Sequence, residues 1–345
     1  MTGYKLAPPF IGEVPSITGI KVRVGEDAKR SVIFFGVEED TAIKYGGTGF
    51  LLADTEKGVP VPFLVTCRHV AKLLEKFDEF YIRINARDGD AATVPSRLIE
   101  WTYPDDKTVD LAVASVGINE DLYNVNYYPL HAMGFSSWKD RKAVAAGDPV
   151  SLVGLFRLHA GTQKNVPFVH TGNVAVLPDP TEHIPVRDRI SGEIVRAEVY
   201  LIEAQTLDGL SGSPVFVHET VGLEDFKLKS GSLPKAYGDL RLLGLYSGSW
   251  DAEPGIILAA DRNLKGGHRV PVGVGLVVPA DKIVELIREH PDMKEVRAAR
   301  AKRHLENYAP SQYAALDLPP TSDVNHREDF NRLSSAAARK PPQED

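Results

Sequence analysis

From residue 17 to residue 280 the chain is a series of short apolar runs rich in β-branched and aromatic residues, separated by Gly, Pro, Asp and Asn. Ile20–Val24, Ser31–Phe35, Phe80–Ile84 and Pro149–Gly154 are examples. Runs of this length read as strands, and many of them in succession are the pattern of an all-β barrel or sandwich. At 345 residues the chain can bury a substantial core, and its length corresponds to about two units of ordinary domain size. Helical periodicity is confined to two places. Val70–Phe77 is one, and Ala280–Glu289 is the other, with Ile283, Val284, Leu286 and Ile287 at helical spacing. Pro291 stops the second helix. From Asp292 the chain is rich in Ala, charge and Pro, which predicts a partly helical and then disordered tail lying beyond the core.

Three motifs carry chemistry. Gly209-Leu210-Ser211-Gly212-Ser213-Pro214 sets a serine between two glycines, although alone it is also ordinary turn chemistry. Phe63-Leu64-Val65-Thr66-Cys67-Arg68-His69-Val70 is an apolar run that ends in a histidine, and Val109-Asp110-Leu111-Ala112-Val113 places an aspartate at the head of a strand. Thr48–Leu52 is a further strand, preceded by the glycine-rich Gly46–Gly49, read as a strand-edge turn. No Lys-Ser/Thr and helix follow those glycines, so they do not form a phosphate loop. A serine hydroxyl needs a base within hydrogen-bond reach, and the base needs a group to hold its tautomer. The order His69, Asp110, Ser211 is opposite to that of α/β-hydrolases and unlike that of subtilisins.

On these motifs the chain resembles the trypsin-like (chymotrypsin-fold) serine peptidases, particularly their bacterial, disulfide-free members. The resemblance implies two antiparallel six-stranded β-barrels with a C-terminal helix and a polar tail. Residues 1–16 would be an N-terminal extension, 17–134 the first barrel with His69 and Asp110, and 135–146 the inter-barrel linker. Residues 147–291 would form the second barrel with Ser211 and the closing helix, and 292–345 the tail, too short for an appended PDZ domain. It also implies Ser211 as nucleophile, His69 as base and Asp110 as its orienting carboxylate. The backbone N–H groups of Gly209 and Ser211 would form the oxyanion hole, and Gly212 would let substrate backbone approach. Gln205 and Thr206 would form the base of the S1 pocket, Ser247, Gly248 and Ser249 one wall and Gly275 the other. An acidic residue stands at the Gln205 position in trypsins, so the expected pocket is polar and neutral. The long segments 217–241 and 250–272 replace tight hairpins and are candidates to shape substrate access.

Other residues are assigned bland roles. Ser213 fits the nucleophile spacing less well, and Cys67 reads as a small buried strand residue. His131, His159, His170, His183, His218 and His268 show no H-x-x-x-H or H-E-x-x-H spacing, so no metal site and no cofactor are expected. The basic run Lys294, Arg297, Arg300, Lys302 and Arg303 reads as a solvated helix face. A net charge of −7 argues against a general nucleic-acid binder. No run reaches the length of a membrane span. One cysteine excludes an intrachain disulfide, and the first ten residues lack a signal-peptide core, so a cytoplasmic location is expected. The expected activity is serine endopeptidase hydrolysis of a protein or peptide substrate, with a pseudoprotease that binds peptides as the non-enzymatic alternative. Leu210 stands where animal trypsins carry an activating aspartate. The oxyanion loop is therefore expected to be held by apolar packing or a partner, not by a cleaved N-terminus.

Overall fold

The computed structural model describes residues 24–56, 58–96, 99–130, 144–157, 159–204, 209–218, 240–252 and 270–307. The strand proposed at Ile20–Val24, the linker, the long segments 219–239 and 253–269, and the tail beyond 307 lie outside them, wholly or in large part.

After a one-turn helix α1 (Glu26–Arg30), the first unit is built from β1 (Val32–Glu39), β2 (Ala42–Glu56), β3 (Val59–Thr66), β4 (Phe80–Asn85), β5 (Ala91–Ser96), β6 (Ala112–Ser115) and β7 (Tyr128–Pro129). They form one seven-stranded sheet with the antiparallel order β5-β4-β1-β2-β3-β6, and β7 joins β2 in parallel. Helix α2 (Arg68–Leu74) follows β3 at once, starting two residues earlier and ending three residues earlier than the sequence periodicity predicts. His69 therefore sits in its first turn. The Gly46–Gly49 segment is strand and not a turn. Gly47 and Gly49 lie within β2, where a Cβ would come within 2.9 Å of Val70 and 2.7 Å of Phe35. The chain reverses instead at Asp40 and Thr41, both at positive φ.

The second unit contains β8 (Pro149–Gly154), β9 (Phe168–Val176), β12 (Tyr200–Glu203), β13 (Pro214–His218), β14 (Leu240–Ala252) and β15 (Val270–Pro279). These close into a barrel in the order β12-β15-β14-β13-β8-β9. A separate two-stranded hairpin, β10 (Ile184–Arg187) with β11 (Ile194–Ala197), packs on it, Val186 and Ala197 sharing a buried cluster with Leu201 of β12 and Leu276 of β15. The barrel is filled by Val150, Leu152, Tyr200, Ile202, Val215, Leu243 and Val277. A second cluster runs across the junction and joins Phe50, Phe63 and Leu64 of the first unit to Val153, Phe216, Leu245 and Val278 of the second. Truncating a fully buried Phe63 to Ala would cost about 3–5 kcal/mol.

Helix α3 (Ala280–Glu289) covers the junction with Ile283, Leu286 and Ile287. Pro291 ends it and also occupies the first position of α4 (Pro291–Asn307), where its missing N–H costs nothing. The expectation that the chain past Asp292 lies outside the core is corrected over this helix. Met293 and Ala301 are buried, and Arg297 pairs with Asp54 (3.0 Å) and Glu56 (2.7 Å) of β2. Arg300 donates to the Ser115 carbonyl at 3.3 Å. The basic run is thus partly a docking face onto the first unit and not simply a solvated surface. No helix among the described residues is long and apolar enough to cross a membrane.

Candidate active site

The first turn of α2 and the segment ahead of β6 bring His69 against Asp110. His69 Nδ1 lies 2.7 Å from Asp110 Oδ2, and the His69 backbone N–H donates to Oδ1 at 2.9 Å. Two bonds to one carboxylate fix both the imidazole plane and the helix that carries it. The Ser247 hydroxyl adds a third, donating to Oδ2 at 2.5 Å. Sequence reasoning placed Ser247 on a pocket wall and missed this contact, which links β14 of the second unit to the carboxylate of the first. Burial would raise the Asp110 carboxyl. The His69 ring and these hydrogen bonds outweigh it and hold the group below its ordinary range.

Ser211 lies in the turn before β13. Its hydroxyl donates to the Ser247 carbonyl at 3.4 Å, and no hydrogen bond joins it to the His69 ring. The turn itself is tightly held. Gly209 and Gly212 have φ of 97° and 92°, values that favour glycine. The Gly212 N–H donates to the Tyr246 carbonyl, the Ser213 N–H to the Leu210 carbonyl, and the Thr48 N–H to the Ser211 carbonyl. Among the described residues the N–H groups of Gly209 and Ser211 make no bond to another backbone carbonyl.

Gly212 has a packing reason of its own to be glycine: a Cβ there would stand 1.8 Å from the Thr48 carbonyl oxygen. The close contact is between the two units. Ser213 is fully buried, its hydroxyl has no partner, and it occupies the space beside Gly154, so it cannot reach a substrate. Leu210 is fully buried in the interior of the closed barrel.

Cys67, His69 and Asp110 present donor atoms within 4.8 Å of one another, a grouping not evident from spacing. Metal ligation requires a thiolate. Burial, followed by the Asp110 charge, pushes the Cys67 thiol well above its ordinary pKa, and the thiol donates to the Tyr246 carbonyl at 3.2 Å. With His69 Nδ1 held by Asp110, this donor set suits a hydrogen-bonded relay better than a cation.

Gln205 and Thr206 lie outside the described residues. Ser249 pairs with Gly275 across the β14–β15 ladder, where a Cβ on Gly275 would meet the Tyr246 ring at 2.7 Å. On its other side β14 is paired with β13 only as far as Tyr246, whose N–H donates to the Ser213 carbonyl at 2.8 Å. From Ser247 to Ser249 that edge carries no strand among the described residues, and it runs directly past Ser211.

Among solved structures, the chain is similar to the Rv3671c protease of M. tuberculosis in its active form, with 17% identity, a TM-score of 0.42, and coverage of 77% of this chain and 83% of that one. The inactive form of the same protease gives 17% identity, a TM-score of 0.38, and coverage of 77% and 91%. No curated protein matches the chain. The sequence family described as the trypsin-like peptidase domain matches residues 47–221, just over half of the chain and the span that contains His69, Asp110 and Ser211. The chain belongs to the trypsin-like peptidase family.

Proposed function

We propose that this peptidase is a serine endopeptidase that works through an acyl-enzyme, with Ser211 as nucleophile, His69 as general base and Asp110 as the carboxylate that orients it. The observation that carries the reading is the doubly bonded His69–Asp110 pair, 2.7 Å at Nδ1 and 2.9 Å at the backbone N–H. With Nδ1–H committed to Asp110, Nε2 carries the lone pair that accepts a proton. As the Ser211 oxygen bonds to the substrate carbonyl carbon, its proton passes to Nε2, and the N–H groups of Gly209 and Ser211 donate to the developing oxyanion. Collapse breaks the C–N bond, and the imidazolium proton leaves with the amine. Water then repeats the sequence against the acyl-serine, again through His69.

The open edge at Ser247–Ser249 suits an extended peptide, which would pair with it as an added strand and lay its scissile bond beside Ser211. The substrate is accordingly a peptide or protein segment in extended conformation. A fluorophosphonate probe tests the whole unit, since it labels only a serine with a working base and oxyanion hole. Labelling at Ser211 that is lost in Ser211→Ala, together with peptide cleavage, supports the reading, and an unlabelled wild-type protein rejects it.

One observation favours the binding-module alternative: the Ser211 hydroxyl is turned to the Ser247 carbonyl and not to His69. Under that reading, peptides bind along the open edge without turnover, and the probe leaves Ser211 unmodified.

A further inference from the structure

The β10–β11 hairpin ends in a turn that uses up its own polar groups. Asp188 accepts the Ile190 N–H at 2.8 Å on one carboxylate oxygen and the Ser191 hydroxyl at 2.9 Å on the other. The Gly192 N–H donates back to the Asp188 carbonyl at 2.8 Å, with Gly192 at φ 78°. Arg189 at this tip is exposed and reaches out of the hairpin to β14.

There its guanidinium lies flat against Gly248, so close that a Cβ on Gly248 would fall 2.3 Å from Nη2 and 2.6 Å from the central carbon. Gly248 has φ 150°, so both backbone and space demand glycine. Nη2 donates to the Ser249 carbonyl, but at 3.4 Å, a weak contact. No acidic side chain pairs with Arg189 among the described residues. The preceding residue, Ser247, is the one touched by the Ser211 hydroxyl and bonded to Asp110. A guanidinium with no carboxylate partner among the described residues therefore sits one residue along the open edge from the Ser211 contact. Its charge is felt as far as the buried Cys67, two residues ahead of His69.

We propose that Arg189 is a specificity determinant that selects peptides carrying a carboxylate side chain within the three residues on the acyl side of the scissile bond. This rests on the serine-endopeptidase reading. A peptide paired along Ser247–Ser249 places its acyl-side side chains next to Gly248, where the planar guanidinium matches a carboxylate in a bidentate fork. An acidic side chain also draws Arg189 off the Ser249 carbonyl, which frees that oxygen to accept a substrate N–H. A substrate without the acid must displace the guanidinium uncompensated. The chain as a whole carries a net charge of −7, which repels acidic peptides, so their selection has to come from a local cation such as Arg189.

The test uses the whole chain and fluorogenic peptides that differ only by Glu, Gln or Lys at each of the three acyl-side positions. At one position the Glu peptide should exceed the Gln peptide in kcat/KM by about 10-fold to 100-fold, with the gap narrowing as salt rises. Arg189→Gln should bring that ratio to about one, and Arg189→Glu should favour a Lys peptide at the same position. Because each ratio is taken within one variant, a general loss of activity does not mimic the effect. Equal rates for Glu and Gln in a wild-type protein that labels at Ser211 overturn the role of Arg189 alone. Failure of the wild type to label Ser211 or to cleave any peptide overturns both readings.

Discussion

The Thr48 hydroxyl donates to the Gly209 carbonyl at 2.7 Å and accepts the Leu155 N–H at 3.0 Å, so one side chain of the first unit holds two backbone groups of the second. Its backbone N–H donates to the Ser211 carbonyl at 3.0 Å, a third bond to the second unit, while its carbonyl accepts the Thr66 hydroxyl of β3 at 2.8 Å. The Gly209–Leu210 peptide lies between the two N–H groups assigned to the oxyanion. Fixing it fixes their aim. Thr48→Val keeps the shape and removes the hydroxyl. It should lower kcat about 10-fold to 100-fold with little change in KM, because a small misplacement of stabilising donors is felt mainly in the transition state. It should also leave the buried Leu155 N–H unsatisfied, at about 1–3 kcal/mol. Thr48→Ser should restore kcat. Steady-state kinetics of the two variants decide the matter, and wild-type kcat in Thr48→Val would remove Thr48 from the machinery.

Ser211→Ala should abolish probe labelling and peptide hydrolysis and leave the fold intact, since it removes only a hydroxyl held by a 3.4 Å contact. Ser213→Ala should retain labelling, as that hydroxyl is buried and unpartnered. His69→Ala should be nearly as damaging as the serine change, because nucleophile and base act as one unit. Label transfer in Ser211→Ala would move the nucleophile elsewhere.

The pH dependence follows from Asp110. Burial tends to raise its carboxyl, but the His69 ring and the hydrogen bonds lower it below the ordinary carboxylate value. The folded chain therefore holds this proton less tightly than the unfolded chain. Its contribution to stability is present above the unfolded carboxyl pKa, near 4, and is lost as pH falls through the lower folded value. Wild type should exceed Asp110→Asn in urea midpoint at pH 7, with the gap closing as the pH is taken below about 4. A gap independent of pH would mean that the carboxylate charge is irrelevant to the fold. Turnover should fall by up to about 10⁴-fold in the same variant, since an amide cannot enforce the working tautomer.

The buried Asp54 of β2 accepts from Nη2 and Nε of Arg288 of α3, at 2.7 and 3.1 Å, and pairs with Arg297 from α4 at 3.0 Å. Asp54 is 3% exposed and Arg297 12%, so neither has water to fall back on. Ending the chain after residue 290 would uncover the apolar sites now filled by Met293 and Ala301 and remove one of the two cations from Asp54. Such a protein should melt several degrees lower, and the Arg288→Ala, Arg297→Ala double variant should lose about 3–5 kcal/mol by stranding a buried carboxylate. Thermal unfolding of both checks this, and an unchanged midpoint would return α4 to the status of a tail.

How much of this was legible in the sequence depends on how local each cause is. The strands at Ser31–Phe35, Phe80–Ile84 and Pro149–Gly154 and the helix at Ala280–Glu289 follow from periodicity within a few residues, and all are present. The proximity of His69 and Asp110 could be anticipated because each motif is attached to its own apolar run. Thr48 and Gly209 are 161 residues apart and Arg288 and Asp54 are 234 apart, and no local period encodes such pairs. The same holds for Ser247, whose motif resembles any turn, and for Gly212, whose close neighbour is the other unit. Arg189 had no sequence signal at all, because an arginine in a polar hairpin tip is ordinary until its position over Gly248 is seen.

Leu210 bears on how the oxyanion loop is ordered. It is fully buried among apolar neighbours inside the closed barrel, 0% accessible, beside Gly154, where a Cβ would stand 3.0 Å from it. A leucine in that setting cannot pair with a new N-terminal ammonium, and an ammonium brought there would lie unpaired in an apolar interior at high cost. The turn from Gly209 to Ser213 is meanwhile tied by Thr48, by the Tyr246 carbonyl and by the Leu210 carbonyl. On the proposed serine-peptidase reading, this packing predicts a loop that is ordered without N-terminal cleavage. A protein with an intact, tagged N-terminus should label at Ser211 with the same rate as an untagged one, and Leu210→Asp should lose labelling together with stability, since it buries a charge without a partner. Labelling that appears only after proteolytic removal of an N-terminal segment would show that the loop is ordered by cleavage after all.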